Sequence, residues 1–225
     1  MIASLKNKLI VSCQAWAGTP FYGDPGLMRA MAECALMGGA GGIRANGPDD
    51  IHEIKKTVPL AMIGIYKLPD KRGVKIITPD FESARQLVDA GSDVVAIDAT
   101  FEARQDESEL HELIQAIRAD LGVPVMADIS NVEEAVRAER LGADLVATTM
   151  AGYTPYTANT KTKGPDLDLI ELLVRTVRLP VVGEGRFARP EEAHEAIRVR
   201  GAHSVVVGTS ITAPWEVAAR FVRAI

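Results

Sequence analysis

The sequence predicts an α/β fold, a closed (β/α)8 barrel of the TIM-barrel type, on three observations. First, one phrase recurs four times: a helix end, then Gly with a small or acidic residue, then a β-branched run. It reads Met37-Gly-Gly-Ala-Gly-Gly-Ile-Arg, Ala90-Gly-Ser-Asp-Val-Val-Ala-Ile-Asp, Leu141-Gly-Ala-Asp-Leu-Val-Ala-Thr-Thr and Arg200-Gly-Ala-His-Ser-Val-Val-Val-Gly. Glycine suits the left-handed position just past a helix C-terminus, and a continuous Val/Ile run suits a strand buried on both faces. Second, three more apolar runs carry a proline at or just before their start: Pro59, Pro124 and Pro180. Proline ends the preceding helix and is tolerated at a strand's first residue. Third, strands and helices alternate strictly, and 225 residues divided among eight units leave about 28 each, the size of a lean barrel. An open doubly wound sheet is the alternative, but eight near-equal units fit it poorly.

The elements follow in order. Leu9 to Gln14 is the first strand. Asp24-Pro25, a cap followed by a first-turn proline, opens a helix to Met37. The second strand ends at Arg44, the third runs from Leu60 to Lys67 and the fourth ends at Asp98. A helix over Ser108–Ala119 leads to a fifth strand, Val123 to Asp128. Asn131-Val-Glu-Glu134 has capping-box spacing and starts a helix to Leu141. The sixth strand ends at Thr148-Thr149. Helices over Asp166–Val177 and Pro190–Val199 bracket the seventh strand, Leu179 to Glu184, and the eighth ends at Gly208-Thr209. The apolar stripe of Trp215–Ile225 is expected to cover the barrel as the last helix. All of residues 1–225 then form one domain.

Composition narrows the function. The chain is 47% hydrophobic and 24% charged, with a net charge of −5. A chain of this length buries roughly 70% of its unfolded surface without staples. Mild acidity and only 5% aromatics leave neither a basic face nor stacking groups for nucleic acid, and nothing for an anionic membrane. Two cysteines make no disulfide framework, the N-terminus lacks a signal-peptide pattern, and no apolar run approaches the roughly 20 residues of a membrane span. A cytoplasmic protein is expected.

A barrel places its chemistry at the C-terminal strand ends. Those ends are Gln14, Arg44, Lys67, Asp98, Asp128, Thr149 with Thr148, Glu184 with Arg186, and Gly208 with Thr209. Lys67, desolvated at the mouth, would serve as a base or Schiff-base amine; the alternative is a surface lysine. Glu184 lies between Gly183 and Gly185, which allow close backbone approach to a ligand, or make a plain turn. Asp128 either positions a hydroxyl and balances Lys67, or caps the helix at Asn131; Asp98 with Thr100 has the same choice. Arg44 offers a two-pronged site for a carboxylate, carbonyl or phosphate, or a salt bridge between strand ends. Ser12 and Gln14 offer neutral hydrogen bonds, whereas Cys13 alternates toward the helix layer.

Gly185 and Arg186 after the seventh strand, and Gly208-Thr209-Ser210 after the eighth, stand where barrels commonly hold a phosphate. The four histidines lack metal-ligand spacing, and no nucleotide fingerprint is present, so neither a metal nor another cofactor is expected. The polar loop Gly152–Pro165 is a candidate lid, with Tyr153 and Tyr156 facing the ligand.

Taken together, Ser12-Cys13-Gln14-Ala15, Gly42-Ile43-Arg44-Ala45-Asn46, Ile65-Tyr66-Lys67, Asp98-Ala99-Thr100, Ala127-Asp128-Ile129-Ser130, Thr148–Thr154 and Gly183-Glu184-Gly185-Arg186 resemble the N-acylglucosamine-6-phosphate 2-epimerase family over nearly the whole chain. The resemblance implies a phosphate-binding (β/α)8 barrel of the ribulose-phosphate-binding type. It implies interconversion of N-acetylmannosamine 6-phosphate and N-acetylglucosamine 6-phosphate in sialic acid and amino-sugar catabolism. It also implies a homodimer whose last helix takes part. Lys67 and Glu184 look like the family's catalytic residues. Gln14, Arg44, Asp128, Thr149, Tyr153 and Arg186 look like substrate contacts, and Gly185, Gly208 and Thr209 like phosphate-loop positions. One departure is Met150-Ala151, where many relatives have Leu-Ser, so a side-chain contact is missing there.

The chemistry fits. Ring opening gives a C1 aldehyde that acidifies the C2 proton, and the site needs a base and a donor for the developing oxyanion. Competing readings are another sugar-phosphate isomerase on the same barrel, which would favour paired aspartates or a histidine ring, and a non-catalytic sugar-phosphate-binding barrel.

Overall fold

Each barrel strand carries two sets of apolar side chains, one for each face, and this decides the architecture. A computed structural model describes all of residues 1–225. Ten strands form: β1 (Leu9–Cys13), β2 (Gly42–Asn46), β3 (Ala61–Ile65), β4 (Lys67–Pro69), β5 (Lys75–Ile77), β6 (Val94–Asp98), β7 (Val125–Asp128), β8 (Leu145–Ala147), β9 (Val181–Glu184) and β10 (Ser204–Val207). Eight of them close a parallel ring in the order β1-β10-β9-β8-β7-β6-β3-β2, and β4 and β5 form a separate antiparallel pair. The ring confirms the (β/α)8 barrel.

Alternate residues divide between two cores. Ile10, Ile63, Ile65, Val94, Ala96, Met126, Leu145, Ala147, Val182 and Val206 fill the ring, with Leu5 among them. Val11, Cys13, Ile43, Ala45, Ile97, Val125, Ala127, Val146 and Val205 pack under the helices. Cys13 therefore lies in the helix layer, as the alternation predicts. The same parity turns Ser12, Gln14, Arg44, Asp98, Asp128, Thr149, Glu184 and Gly208 inward at the C-terminal end.

The helices are α1 (Pro25–Met37), α2 (Pro48–Lys55), α3 (Phe81–Asp89), α4 (Glu107–Ala116), α5 (Val132–Leu141), α6 (Leu167–Thr176), α7 (Pro190–Arg198), α8 (Thr209–Thr212) and α9 (Pro214–Ala224). Asp24, Asp106, Asn131 and Asp166 each cap a helix by accepting a backbone N–H in its first turn. Gly142, at φ +97°, ends α5 in the left-handed cap its sequence phrase predicts. One helix lies elsewhere than expected. No residue of α9 is buried, so the stripe of Trp215–Ile225 does not cover the barrel. Its start is anchored where Trp215 meets Trp16 and Phe21 edge-on at 5.4 Å, and Arg220 donates to Ser210 Oγ at 2.9 Å. Pro214 follows the single turn of α8 and starts a separate helix there.

The helix-capping alternatives resolve cleanly. Asp98 does not cap a helix; it accepts from the amide and hydroxyl of Thr100. Asp128 leaves capping to Asn131. The capping box at Asn131 is only half made, because the Glu134 carboxylate turns to the amide of Ser130 instead.

Candidate active site

Arg44 is the largest side chain that the inner face of β2 carries to the mouth, and it is fully buried. A buried guanidinium requires partners for its charge and its donors. Its Nη2 donates to Asp128 Oδ2 at 2.6 Å, and its Nη1 to Glu184 Oε2 at 2.6 Å and Asp128 Oδ1 at 3.1 Å. Thr149 completes the cluster, donating to Asp128 Oδ1 at 2.6 Å or to Glu184 Oε2 at 3.1 Å. Of the two readings of Arg44, the bridge between strand ends is the one realised: its fork clasps Asp128 from within the protein. Burial alone would lower its pKa, but Asp128 and Glu184 more than reverse this, so it stays cationic. Glu184 is shifted upward as well, but toward its neutral form. Burial raises its pKa, Arg44 opposes the rise, and Asp128 adds to it. A carboxyl held above its usual range is suited to give up a proton near neutrality.

Thr148 and Thr149 do not end a strand. β8 stops at Ala147, and the threonines form a short 3-10 turn. The Thr148 hydroxyl donates to Glu184 O and accepts from Glu184 N, both at 2.9 Å, fixing the backbone that carries the glutamate.

Lys67 is also displaced from its predicted place. β3 ends at Ile65, and Lys67 opens the β4–β5 hairpin, opposite Ile77. The side chain nevertheless reaches the mouth: Nζ donates to Gln14 Oε1 at 2.7 Å, and the Gln14 amide donates to Ser12 Oγ at 2.6 Å. The side chain stays open to solvent while its ammonium is crowded by the rim. That desolvation, then the like charge of Arg44, lowers its pKa, against the pull of Glu184 and Asp128. Lys67 with Gln14, and Arg44 with Asp128, Thr149 and Glu184, thus form two hydrogen-bonded sets coupled by charge.

Across the ring, Gly185 takes φ +106° and Arg186 φ +59°, the left-handed region where a non-glycine residue is strained. Gly208 precedes α8, whose first-turn amides at Thr209 and Ser210 have no helical acceptor. Arg186 bonds the neighbouring loop. Its donors go to Ala151 O at 2.7 Å, Gly164 O at 3.0 Å and Thr162 Oγ1 at 3.2 Å, and it stacks on Tyr153. It holds the Gly152–Pro165 loop, in which Gly152 N also donates to Thr157 Oγ1. Tyr156, expected to face a ligand, instead donates to Glu134 Oε1 and rests near Phe101.

Sequence reasoning missed a second buried set behind the mouth. Glu134 accepts from Ser130 N and Oγ, Phe101 N and Tyr156. Arg137 donates to Ala99 O and Arg104 O. Arg104 donates to Thr78 O, Pro79 O and Asp98 O. Only position within the helix phase distinguishes these residues from surface charges; Glu134 and Arg137, spaced three apart on α5, carry that faint signal.

The comparisons with known proteins follow this geometry. Residues 28–225 match the family model described as "NanE: Putative N-acetylmannosamine-6-phosphate epimerase". The chain belongs to this epimerase family. A relative from Caldanaerobacter subterraneus subsp. tengcongensis, named "Putative N-acetylmannosamine-6-phosphate 2-epimerase", is 45% identical over 223 residues, 99% of this chain and 92% of the relative. One of the same name from Clostridioides difficile is 43% identical over 225 residues, 100% and 99% of the two chains. The solved structure of the N-acetylmannosamine-6-phosphate 2-epimerase from Clostridium perfringens superposes with a TM-score of 0.91 at 39% identity, covering 100% of this chain and 96% of that one. Family membership thus agrees with a barrel whose mouth brings together a lysine on the β4–β5 hairpin and a glutamate at the end of β9.

Proposed function

We propose that this chain inverts C2 of an N-acyl amino-sugar 6-phosphate, converting N-acetylmannosamine 6-phosphate to N-acetylglucosamine 6-phosphate. Membership of the epimerase family supports the reaction class. The observation that carries the mechanism is the single mouth shared by a lysine of lowered pKa and a carboxyl of raised pKa. In the open-chain sugar the C1 aldehyde acidifies C2–H. Neutral Lys67 takes that proton, and the electron pair moves to O1 as an enolate. The anion lies beside the new Lys67 ammonium and the Gln14 amide. Glu184 returns a proton to the opposite face of C2, which inverts the centre. Arg44 and Asp128 hold Glu184 and its charge in place, with Thr149 on both carboxylates. Gly185, Gly208 and Thr209 present backbone amides to the 6-phosphate, while Arg186 and Tyr153 brace the loop that covers the sugar. No step draws on a metal or an organic cofactor.

Asp98 and Asp128 stand side by side in the ladder, yet each is already bonded, to Thr100 and to Arg44 respectively, whereas Lys67 is held only by the neutral side chain of Gln14, which favours it as the group that takes the proton. Proton NMR in D2O tests the reading. Deuterium is expected at C2 of the product, and Lys67→Ala is expected to lower the exchange rate by about 10²–10⁴-fold with the fold intact. Undiminished exchange in that variant would remove Lys67 as the base. Early product from protonated substrate separates the mechanisms further: full deuteration at C2 supports two groups, and retained protium supports one.

The same reading places the chain, as one catalytic domain over residues 1–225, in the cytoplasm as a homodimer. No helix is long and apolar enough to cross a membrane, and both cysteines are free. α9 supports the dimer, exposing Phe221 (72%) and Val222 (69%), and a separate groove of about 420 Å3 is lined by Phe187, Ala193, Ile197, Val205 and Val207. A monomer by light scattering would overturn it, and Phe221→Glu is expected to weaken the dimer.

A further inference from the structure

The chain departs from the barrel one residue before Lys67, and three features mark how that departure is held. β3 pairs with β6 only at Ile63 with Val94 and Gly64 with Val95. Beyond that point the two strands no longer bond directly. The Thr78 hydroxyl takes up the gap: it accepts from Tyr66 N at 3.1 Å and donates to Ala96 O at 2.7 Å. A side-chain oxygen thus substitutes for one rung of the ladder, immediately before the lysine. The next amide, Lys67 N, is likewise held by a side chain, Asn46 Oδ1, at 3.0 Å.

Thr78 is completely buried and takes φ +49°, an unfavourable backbone for a β-branched residue. Such strain persists only where the surroundings over-determine it. Arg104 supplies that constraint. Its guanidinium reaches Thr78 O at 2.8 Å and Pro79 O at 2.6 Å on the hairpin side, and Asp98 O at 3.1 Å at the end of β6. Arg104 is 8% exposed and forms no salt bridge, so its donors rest on carbonyls alone, with Asp98 foremost among the acids whose charge favours it. That is a costly way to gain stability, since carbonyls only partly replace water around a cation. It is an effective way to fix three backbone positions in one plane, because the donors of a guanidinium have a rigid geometry.

We infer that Thr78 and Arg104 are positioning residues for Lys67: they fasten the hairpin bearing the lysine to the end of β6 and so set where its amine stands over the mouth. The inference rests on Lys67 being the base, but its test includes a measurement that does not. Thr78→Val removes the hydroxyl and keeps the shape, and Thr78→Ser restores the hydroxyl. For T78V the expected result is a kcat about 10- to 100-fold lower with KM within about threefold, because a small misplacement of a reacting group costs rate more than binding. T78S is expected to recover most of that loss.

The independent measurement is acylation of Lys67 by an amine-reactive ester across pH, followed by peptide mass spectrometry. In the wild type the midpoint is expected below the ordinary lysine value. In T78V it is expected to move upward as the loosened amine gains water. If T78V does not fold by circular dichroism, Arg104→Lys, which keeps the charge but loses the fork, takes the same two measurements with the same expectation. A folded variant whose kcat and acylation profile match the wild type would overturn the inference, and so would T78S no better than T78V. Undiminished exchange in Lys67→Ala would reject the base assignment, while an acylation shift would still support the positioning.

Discussion

Two buried arginines, Arg44 and Arg104, stand within the same rim and are satisfied in opposite ways. Arg44 is held by the carboxylates of Asp128 and Glu184, whereas Arg104 is held by three backbone carbonyls. The first arrangement concentrates charge. It keeps two acids and a cation in contact beneath the mouth; burial and Asp128 push Glu184 upward against Arg44, and burial and Arg44 push Lys67 downward. The second arrangement makes no ion pair, and it orders the backbone. Similar side chains thus serve chemistry in one place and geometry in the other, according to whether their acceptors titrate.

That difference can be broken most forcefully by Arg44→Met. Removing the cation leaves Asp128 and Glu184 buried together, and a loss of about 3–5 kcal/mol is expected at pH 7. Glu184, already shifted upward, can escape by protonation, so the deficit should shrink as pH falls. Arg104→Met leaves carbonyls unsatisfied at about 1–3 kcal/mol, and because carbonyls do not titrate, its deficit should vary with pH only through Asp98, growing slightly as that carboxyl ionises. Denaturant melts of both variants across pH decide the matter; a pH-independent deficit for Arg44→Met would erase the contrast.

Asp98 sharpens the same comparison, since it contributes its backbone to Arg104 and its carboxyl to Thr100. Burial raises its pKa to about 6, the bonds from Thr100 opposing. The folded state therefore holds this proton more tightly than the unfolded one. The resulting stability is fully present below pH 4 and is lost as pH rises through 6, about 3 kcal/mol in all. Asp98→Asn should flatten that part of the stability profile; an unchanged slope would show that the group does not titrate there. The smallest effect is expected from Tyr156→Phe. It removes one donor from Glu134, which keeps Ser130 and Phe101, so a loss of about 1–2 kcal/mol with unchanged kcat is expected from melts and assays.

The parts that were legible in the sequence share a physical cause. Strand parity places Gln14, Arg44, Asp128, Thr149 and Glu184 on the inner face once the strands are located, and glycine phrases locate the strands. Lys67 was found by residue type but misassigned to β3, because Ile65-Tyr66-Lys67 reads as uninterrupted strand while the break depends on Thr78, eleven residues later. Tyr156 bonds Glu134 rather than facing the mouth, and nothing local distinguishes a side chain that binds the protein from one that binds a substrate. The helical stripe of α9 is legible, but amphipathicity does not say which surface covers it. Glu134 is legible as a capping-box candidate but its reach to Phe101 N and Tyr156 is not, and Arg104 stays hidden because its carbonyl partners are brought close only by the fold.

The closure itself has a temporal consequence. β1 pairs with β10, Leu9 against Val205 and Val11 against Val207, while Asn7 N donates to His203 O at 2.7 Å. During synthesis the first strand is made early and finds its second neighbour only when the final strand has left the ribosome. Until then the nascent chain carries an open edge, which invites pairing with other chains. Completion of the catalytic rim is accordingly a late, long-range event, set by joining the polypeptide's beginning to its end.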